Sequence, residues 1–303
     1  MTNFQKNIYR GYLTFQCLKP FFERLNELQI MYAVIKGDAL SLQVYNQVGI
    51  RTYSDVDILI CRGDVSIVIN ILKKLGFSSR FEENILNKKN RVLTTLSHQI
   101  MPYVKEYRGV TVEIDINLDL FWGEYRGKRI NVVPILQRTC KKSIYESVVN
   151  VLSIQDAFIE LCLHHYKDLN SLDHLLKRNP YKKKRFEDVY WMIKNNSVFT
   201  PSYVRRIANK YGVVPYIYYV LKSTSYVIMD NYLDPFLQTL WDPEGERLLE
   251  YYDLANPKKW GISFYERLEN DNLKEYIEEN LTIYDRQRLD FVEASYRIVN
   301  HFN

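Results

Sequence analysis

Two aspartates separated by one residue interrupt an otherwise apolar segment, DVDILI at residues 55–60. If this segment is a β-strand, Asp55 and Asp57 lie on the same face and close together. Two carboxylates at that distance repel each other unless a cation lies between them. Mg²⁺ prefers carboxylate oxygens and is commonly completed by substrate phosphates. The pair therefore predicts a site for Mg²⁺, or for Mn²⁺ in its place, that handles phosphate groups.

A second acidic segment, VTVEIDINLDL at residues 110–120, alternates strictly between apolar and polar residues. The alternation predicts a strand with one face in the core and an acidic opposite face. If this strand lies beside the first, Glu113 or Asp115 comes level with the aspartate pair and can bind a second metal ion or deprotonate an attacking hydroxyl. Three acids from two strands predict phosphoryl or nucleotidyl transfer.

Other side chains are candidates for contacts to phosphate. Arg51 precedes the aspartate pair, and Lys36 follows the first predicted strand, so both are placed to meet a triphosphate. His165 shares an apolar helical stripe and is either a core residue or, with its neighbour His164, a contact to substrate or phosphate. Asp119, near the end of its strand, is expected at the surface.

A run of basic residues without an intervening acid consists of Lys177, Arg178, Lys182, Lys183, Lys184 and Arg185. Such a run is either a solvated loop or helix end, or a surface that meets phosphates or RNA. The formal net charge of +5 does not decide between these interpretations.

The elements that must position these residues alternate between strands and helices in the first part of the chain. Apolar runs predict strands over 31–35 and 56–61, and helical periodicity predicts helices over 38–45 and 65–75. A further strand is predicted near 92–100. This order is typical of the beginning of an α/β domain.

From Ser153 onward the pattern is helical to the end of the chain, and SIQD at 153–156 resembles a capping box. The change of pattern places a domain boundary near 140–152. We therefore predict a sheet-bearing catalytic domain over 1–145 and an all-helical domain over 146–303.

The composition is that of an ordinary globular protein, with 303 residues of which 47% are hydrophobic, enough for one large or two ordinary domains. The four cysteines are far apart, form no CxxC pair and have apolar neighbours, so we expect buried thiols and a reducing, cytoplasmic setting. We expect no signal peptide and no membrane segment, because no apolar stretch approaches the roughly 18 residues of a membrane span.

The segment KGDALSLQVYNQVGIRTYSDVDILI resembles the signature of the uncharacterised nucleotidyltransferase family, within the polymerase-beta-like nucleotidyltransferase superfamily. The residues that match are Lys36, Gly37, Tyr45, Gly49, Arg51, Asp55 and Asp57. VEIDI resembles the family's later acidic strand, so Glu113 matches its third carboxylate and Asp115 stands at its histidine position. ELCLHHYKD, and EDVYWMI with Asp188, resemble parts of its helical region.

The resemblance implies an α/β (α+β) fold, with a nucleotidyltransferase-type mixed sheet flanked by helices and an all-helical C-terminal domain that completes the cleft. It implies Mg-dependent use of a nucleoside triphosphate such as ATP. The implied metal ligands are Asp55, Asp57 and Glu113, and the implied catalytic residues are Asp55, Asp57, Glu113 and Asp115. The implied nucleotide contacts are Lys36, Gly37, Arg51 and Ser54, and candidate substrate contacts are His164, His165 and Asp188.

One departure from the superfamily pattern concerns the turn before the first helix. The superfamily prefers Gly-Ser or Gly-Gly where this chain has Gly37-Asp38. We expect Asp38 to cap the following helix and to leave backbone N–H groups to the ligand.

Three functions remain open. The favoured one is a Mg-dependent nucleotidyltransferase that moves a nucleoside monophosphate to an acceptor hydroxyl or phosphate, on a small molecule, peptide, protein or tRNA, and releases pyrophosphate. The second is a catalytically inactive nucleotidyltransferase-like module that binds nucleotide, RNA or protein through the basic run. The third is a DxD glycosyltransferase, which is disfavoured because the aspartate pair comes so early in the chain.

Overall fold

The computed structural model describes residues 2–79, 98–120, 129–177, 180–253 and 256–297, with side chains described up to residue 290. The chain divides into two compact units, Met1–Ala157 and Phe158–Asn303. Most of the strand predicted near 92–100 lies outside the described residues. Of that segment, residues 98–100 are described, and Gln99 forms an antiparallel bridge with Asn117.

The first unit is built on a six-stranded mixed sheet in the order β3-β4-β2-β1-β6-β5. Its strands are β1 (Tyr32–Val34), β2 (Asp55–Ile60), β3 (Tyr103–Tyr107), β4 (Val110–Asn117), β5 (Cys140–Ile144) and β6 (Ser147–Val151). β2 runs parallel to β4 and antiparallel to β1, while β1 is parallel to β6. The predictions of β1, β2 and β4 are confirmed, whereas β3, β5 and β6 were not predicted.

The β5–β6 hairpin continues past residue 145, where the sequence pattern placed the end of the first domain. β6 is hydrogen-bonded to β1 and so belongs to the sheet. The assignment of domains to 1–145 and 146–303 stays a prediction.

The helices of the first unit are α1 (Asn3–Glu27), α2 (Gly37–Tyr45), α3 (Val65–Lys74) and the one-turn α4 (Val133–Leu136). α1 begins at a capping box in which Thr2 and Gln5 bond reciprocally. Its aromatic residues Phe15, Phe21 and Phe22 are buried in the core of the sheet unit. We made no prediction for residues 3–27.

One face of the two central strands supplies the core. Val56, Ile58 and Ile60 of β2 are buried together with Val112, Ile114 and Ile116 of β4. Because side chains alternate along a strand, the opposite face carries the polar residues of both strands. The alternation expected for residues 110–120 is therefore confirmed up to Ile116, whereas residues 117–120 are all buried.

The second unit is helical, with α5 beginning before the division between the units. Its helices are α5 (Ile154–Asn170), α6 (Leu172–Lys177), α7 (Lys183–Lys194), α8 (Pro201–Tyr211), α9 (Val214–Ile228), α10 (Asp234–Leu240), α11 (Pro243–Leu249), α12 (Phe264–Glu269), α13 (Leu273–Glu279) and α14 (Ile283–Arg297). A short antiparallel pair, β7 (Tyr251–Tyr252) and β8 (Lys258–Lys259), lies among them. The predicted fold class is confirmed. None of the described helices is both long and apolar enough to cross a membrane.

Two expectations about burial are wrong. Cys17 and Cys162 are buried free thiols, but Cys140 is exposed and Cys61 is partly exposed. Cys140 opens the edge strand β5, whose first four residues all face solvent. Asp119 is buried and not at the surface, and the backbone N–H of Ile130 donates a hydrogen bond to its carboxylate at 3.1 Å, which offsets part of the cost of burial.

Candidate active site

The acidic faces of β2 and β4 lie side by side in the centre of the sheet. In their parallel register Asp55 is paired with Glu113, and Asp57 with Asp115. Paired residues of neighbouring strands project from the same face of a sheet. Four carboxylates from two strands therefore share one face, the arrangement on which the predicted chemistry depends.

Asp57 is nearly buried and is held by two donors. Lys36 Nζ lies 2.7 Å from Asp57 Oδ1, and Asn117 Nδ2 donates to the same oxygen at 3.1 Å. Lys36 is the residue directly before α2, so the helix start sets its position. In this structure the ammonium of Lys36 thus compensates part of the acidic face.

Asp115 is the most perturbed carboxyl of this face. Burial, together with the charges of Asp57 and Asp55, raises its pKa to about 7, against the opposing effects of Lys36 and of a 2.7 Å hydrogen bond from Gln99 Nε2. Like charges disfavour ionisation of a neighbouring acid. The charge of Asp115 is therefore coupled to both aspartates of the pair.

Gly37, directly after Lys36, stands at a position that favours glycine. Its φ of +55° lies in the left-handed region that favours glycine. A Cβ at this position would lie 3.3 Å from the ring of Tyr53, so a side chain would need that ring to move. The tight turn allows β1 to pass directly into α2 and places Lys36 over the acidic strands.

Asp38 does not cap α2, and that expectation is wrong. It lies within the first turn of α2, is buried, and accepts hydrogen bonds from the backbone N–H of Gly49, at 2.6 Å, and from the hydroxyl of Tyr53. Burial raises the pKa of Asp38, and these two bonds oppose that rise. Through these two bonds Asp38 holds the loop over 46–54, which contains Arg51, against the start of α2.

The same loop is also bound to α1. Asn7 Nδ2 donates to the backbone oxygen of Gly49 at 3.2 Å, and Arg10 Nη2 donates to the backbone oxygen of Ser54 at 3.0 Å. Ser54 Oγ in turn donates to Asp55 Oδ1 at 3.2 Å. The long first helix therefore positions the residues that lead into the aspartate pair.

The remaining predicted contacts lie in the second unit. His164 Nε2 is 3.5 Å from Asp168 Oδ2, His165 is buried, and Asp188 is buried on α7. Within the basic run, Arg178 lies outside the described residues, Lys177 pairs with Asp173 at 2.6 Å and Arg185 pairs with buried Asp168. The exposed members are Lys177, Lys182, Lys183 and Lys184. The roles of these residues stay predictions.

The sequence analysis missed two residues of the acidic face. Asn117 continues the period of two that links Glu113 and Asp115, so the alternation contained the signal for it. Gln99 lies in a bridge to Asn117 that joins distant parts of the chain, and no local pattern marks it. Both residues donate to the carboxylates and help to fix their orientation.

Carboxylate oxygens suit a hard divalent cation such as Mg²⁺. Among the described residues, however, no group of three or more His, Cys, Asp and Glu side chains is gathered closely enough to hold a metal ion. Asp55 and Asp57 thus supply oxygen atoms of the kind that the ion prefers, without a closed set of ligands. The ammonium of Lys36 lies beside Oδ1 of Asp57 at 2.7 Å.

A mixed sheet with an aspartate pair on one central strand and acids on the next defines the class of nucleotidyltransferase-like proteins. The family described as uncharacterised nucleotidyltransferase matches residues 2–227, most of the chain, and the chain belongs to that family. The resemblance drawn from residues 36–60 is thereby confirmed.

Among solved structures, the chain is similar to the crystal structure of an antigenic nucleotidyltransferase-like protein from Paracoccidioides brasiliensis. The two are 14% identical, the match covers 76% of this chain and 92% of that one, and the TM-score is 0.36. No curated protein matches this chain.

Proposed function

We propose that this protein transfers a nucleoside monophosphate from a nucleoside triphosphate to an acceptor hydroxyl or phosphate and releases pyrophosphate. The observation that carries the proposal is the register of β2 and β4, which pairs Asp55 with Glu113 and Asp57 with Asp115 on one face. Membership of the nucleotidyltransferase family supports an NTP as the donor substrate rather than the nucleotide-sugar of a glycosyltransferase.

In this proposal Asp55 and Asp57 hold Mg²⁺ or Mn²⁺, which when bound neutralises phosphate charge and orients the triphosphate. Lys36 moves from Asp57 to a phosphate oxygen, and Arg51 adds a second cationic contact. We also propose that Gly37 and Ser54 contact the phosphates. Phosphoryl-transfer catalysis is largely positioning and charge compensation, which these residues supply.

We assign the third carboxylate to Asp115 rather than to Glu113, the first choice of the sequence analysis. Asp115 is paired with Asp57 and is electrostatically coupled to both aspartates of the pair. Its carboxylate accepts the proton of the acceptor hydroxyl as that oxygen attacks the α-phosphorus. The bond from the α-phosphorus to the bridging oxygen breaks, and pyrophosphate leaves with the electron pair.

The decisive experiment measures pyrophosphate release and transfer of label from each α-labelled NTP in a cell extract, with Mg²⁺ or Mn²⁺. We expect the double variant Asp55→Asn, Asp57→Asn to lose turnover by at least about 10³-fold while its thermal stability stays equal or rises, because charge repulsion is relieved. Undiminished turnover in this variant would reject the assignment.

A matched pair of variants separates the two candidates for the third carboxylate. Asp115→Asn and Glu113→Gln remove one charge each from neighbouring positions on the same face of β4. We expect Asp115→Asn to lower turnover by about 10²-fold or more and Glu113→Gln by much less. The reverse order would return the role to Glu113.

A second candidate function is a catalytically inactive module that binds nucleotide. The observation that favours it is the bond between Lys36 and Asp57, with no gathered group of three ligands for a metal ion among the described residues. Calorimetry with and without Mg²⁺ discriminates between the two functions. Metal-independent NTP binding without turnover supports the inactive module, and metal-dependent binding with turnover supports the enzyme.

A further inference from the structure

The second unit contains a cluster of ionisable side chains outside the candidate active site. Asp168 of α5 lies at its centre with a side chain that is 0% exposed. His174 Nδ1 of α6 is 2.6 Å from Asp168 Oδ1, while Arg185 Nη1 of α7 and His164 Nε2, one turn earlier on α5, face Oδ2. Three successive helices therefore meet at one carboxylate.

Three groups that can carry positive charge face the one carboxylate of Asp168. Arg185 alone balances the charge of Asp168, because a guanidinium is always protonated in proteins. Protonation of an imidazole adds further positive charge to the cluster. The nearby acid Asp173 of α6 is paired with Lys177 at 2.6 Å, and the buried acid Asp188 lies one turn further along α7.

The cationic members of the cluster reach the surface, while the carboxylate does not. The side chains of His164, His174 and Arg185 are 27%, 14% and 24% exposed. One buried acid therefore contacts one nitrogen of each of three partly exposed side chains. A carboxylate that bonds one nitrogen of a histidine fixes the orientation of the ring and of its second nitrogen.

The start of α7 adds further positive charge beside Arg185. Lys182 precedes the helix, Lys183 and Lys184 occupy its first turn, and that turn contains no acid. Cations at a helix N-terminus oppose the helix dipole and cost stability, whereas an anion is favoured there. The exposed lysines are thus unfavourable for α7 and favourable for a negatively charged ligand.

We propose that His164, His174 and Arg185, oriented by Asp168, bind a phosphate monoester group. A planar guanidinium fork and imidazole N–H groups are donors suited to phosphate oxygens, and charge-assisted bonds of this kind are short and strong. Lys182, Lys183 and Lys184 raise the local positive potential. The site does not depend on the proposed nucleotidyl transfer and is tested separately from it.

The test uses the full chain with its histidine side chains labelled with ¹⁵N. The sequence contains five histidines, so the imidazole spectrum is simple, and His164→Gln and His174→Gln assign two of its signals. Inorganic phosphate and a nucleoside 5′-monophosphate are added without metal ions. We expect both probes to shift the signals of His164 and His174 saturably at millimolar concentrations.

Variants then show whether the cluster is the site. We expect Arg185→Lys, which keeps the charge but removes the fork, and His164→Gln each to weaken phosphate binding by about tenfold. Arg205→Gln is the matched control, because Arg205 is a partly exposed arginine of the same unit that donates to the backbone oxygen of Trp241. Its binding should equal that of the wild type.

Three results would overturn the proposal. The first is the absence of saturable shifts at His164 and His174, or equal binding by all variants. The second is a shift that disappears in a Lys36→Gln variant, which would place phosphate at the candidate active site. The third is stronger binding of a dinucleotide without a terminal phosphate, which would indicate recognition of a diester backbone instead.

Discussion

The pKa of an aspartate is shifted in opposite directions in two regions of the molecule. On the acidic face of the sheet, burial and the charges of Asp57 and Asp55 raise the pKa of Asp115 to about 7. In the helical unit, burial acts in the same upward direction on Asp168, but the charges of His164 and Arg185 and the bond from His174 hold its pKa well below the usual range. Burial raises the pKa of both carboxyls, and the opposite outcome for Asp168 is due to its cationic partners, which outweigh that rise.

The two regions also differ in how their charges affect the stability of the protein. A cation bound at the acidic face would relieve the repulsion between its carboxylates. Asp168 already contacts an arginine and two histidines. Replacing aspartate by asparagine should therefore stabilise the first region and destabilise the second.

The largest effect is expected for Asp168→Asn. Removing one member of a buried ion cluster leaves the guanidinium of Arg185 without its counter-charge, which typically costs about 3–5 kcal/mol of the free energy of unfolding. Because the pKa of Asp168 is lowered, its contribution is fully present above about pH 4 and is lost as the pH falls below that. Urea denaturation at pH 7 measures the difference.

Asp173→Asn is the matched control for that prediction. Asp173 pairs with Lys177 at 2.6 Å, but both side chains of this pair reach solvent. An exposed pair contributes about 0–1 kcal/mol. If the two variants lose equal stability, the helical cluster is not a buried ion network of the kind described.

A smaller effect of opposite sign is expected for Asp115→Asn. Since the pKa of Asp115 is raised, wild-type stability is highest below the ordinary pKa and falls as the pH rises toward about 7, where the folded protein must ionise this group. The variant has no carboxyl to ionise and does not suffer that loss. The pKa difference corresponds to at most roughly 4 kcal/mol of the free energy of unfolding. Because the group is partly exposed, we expect the variant to be more stable by about half of that, about 2 kcal/mol, at pH 8.

Unfolding in EDTA at two pH values checks this prediction. Near pH 4 the variant and the wild type should differ little, because Asp115 is then protonated in the folded protein. A variant that is less stable at pH 8 would show that the carboxylates of this face do not repel one another.

The smallest effect concerns Mg²⁺. A ligand at tenfold its Kd stabilises the folded state by about 1.4 kcal/mol through mass action. We therefore expect Mg²⁺ to raise the melting temperature of the wild type at pH 8, and not that of the Asp55→Asn, Asp57→Asn variant. Equal shifts in both proteins would place the ion elsewhere.

Local patterns in the sequence were sufficient for the central strands but not for the hairpins. The alternation in residues 110–117 and the apolar run after Asp55 specify β4 and β2, because side chains alternate along any strand. The β5–β6 turn has positive φ at both Tyr145 and Glu146, of 46° and 65°. Such turns normally contain Asn or Gly, so no turn signal was present there.

The prediction that Asp38 caps a helix was wrong because segments distant in the sequence pack against it. Asp38 follows a glycine at a helix start, which locally favours a cap. Gly49 and Tyr53 lie on a loop that folds back against α2, and they take both oxygens of Asp38 instead. The N–H of Gly49 is eleven residues from Asp38 in the sequence, so the residues next to Asp38 do not predict this bond.

The sequence by itself determined that Asp55 and Asp57 share a strand face and that Glu113 and Asp115 share another, because strand geometry is local. Only the tertiary structure decided that Asp115 is coupled to that pair, that Lys36 bonds to Asp57, and that three helices bring two histidines and an arginine to Asp168. Register and electrostatic environment depend on which segments become neighbours, and long-range packing of the whole chain sets that choice.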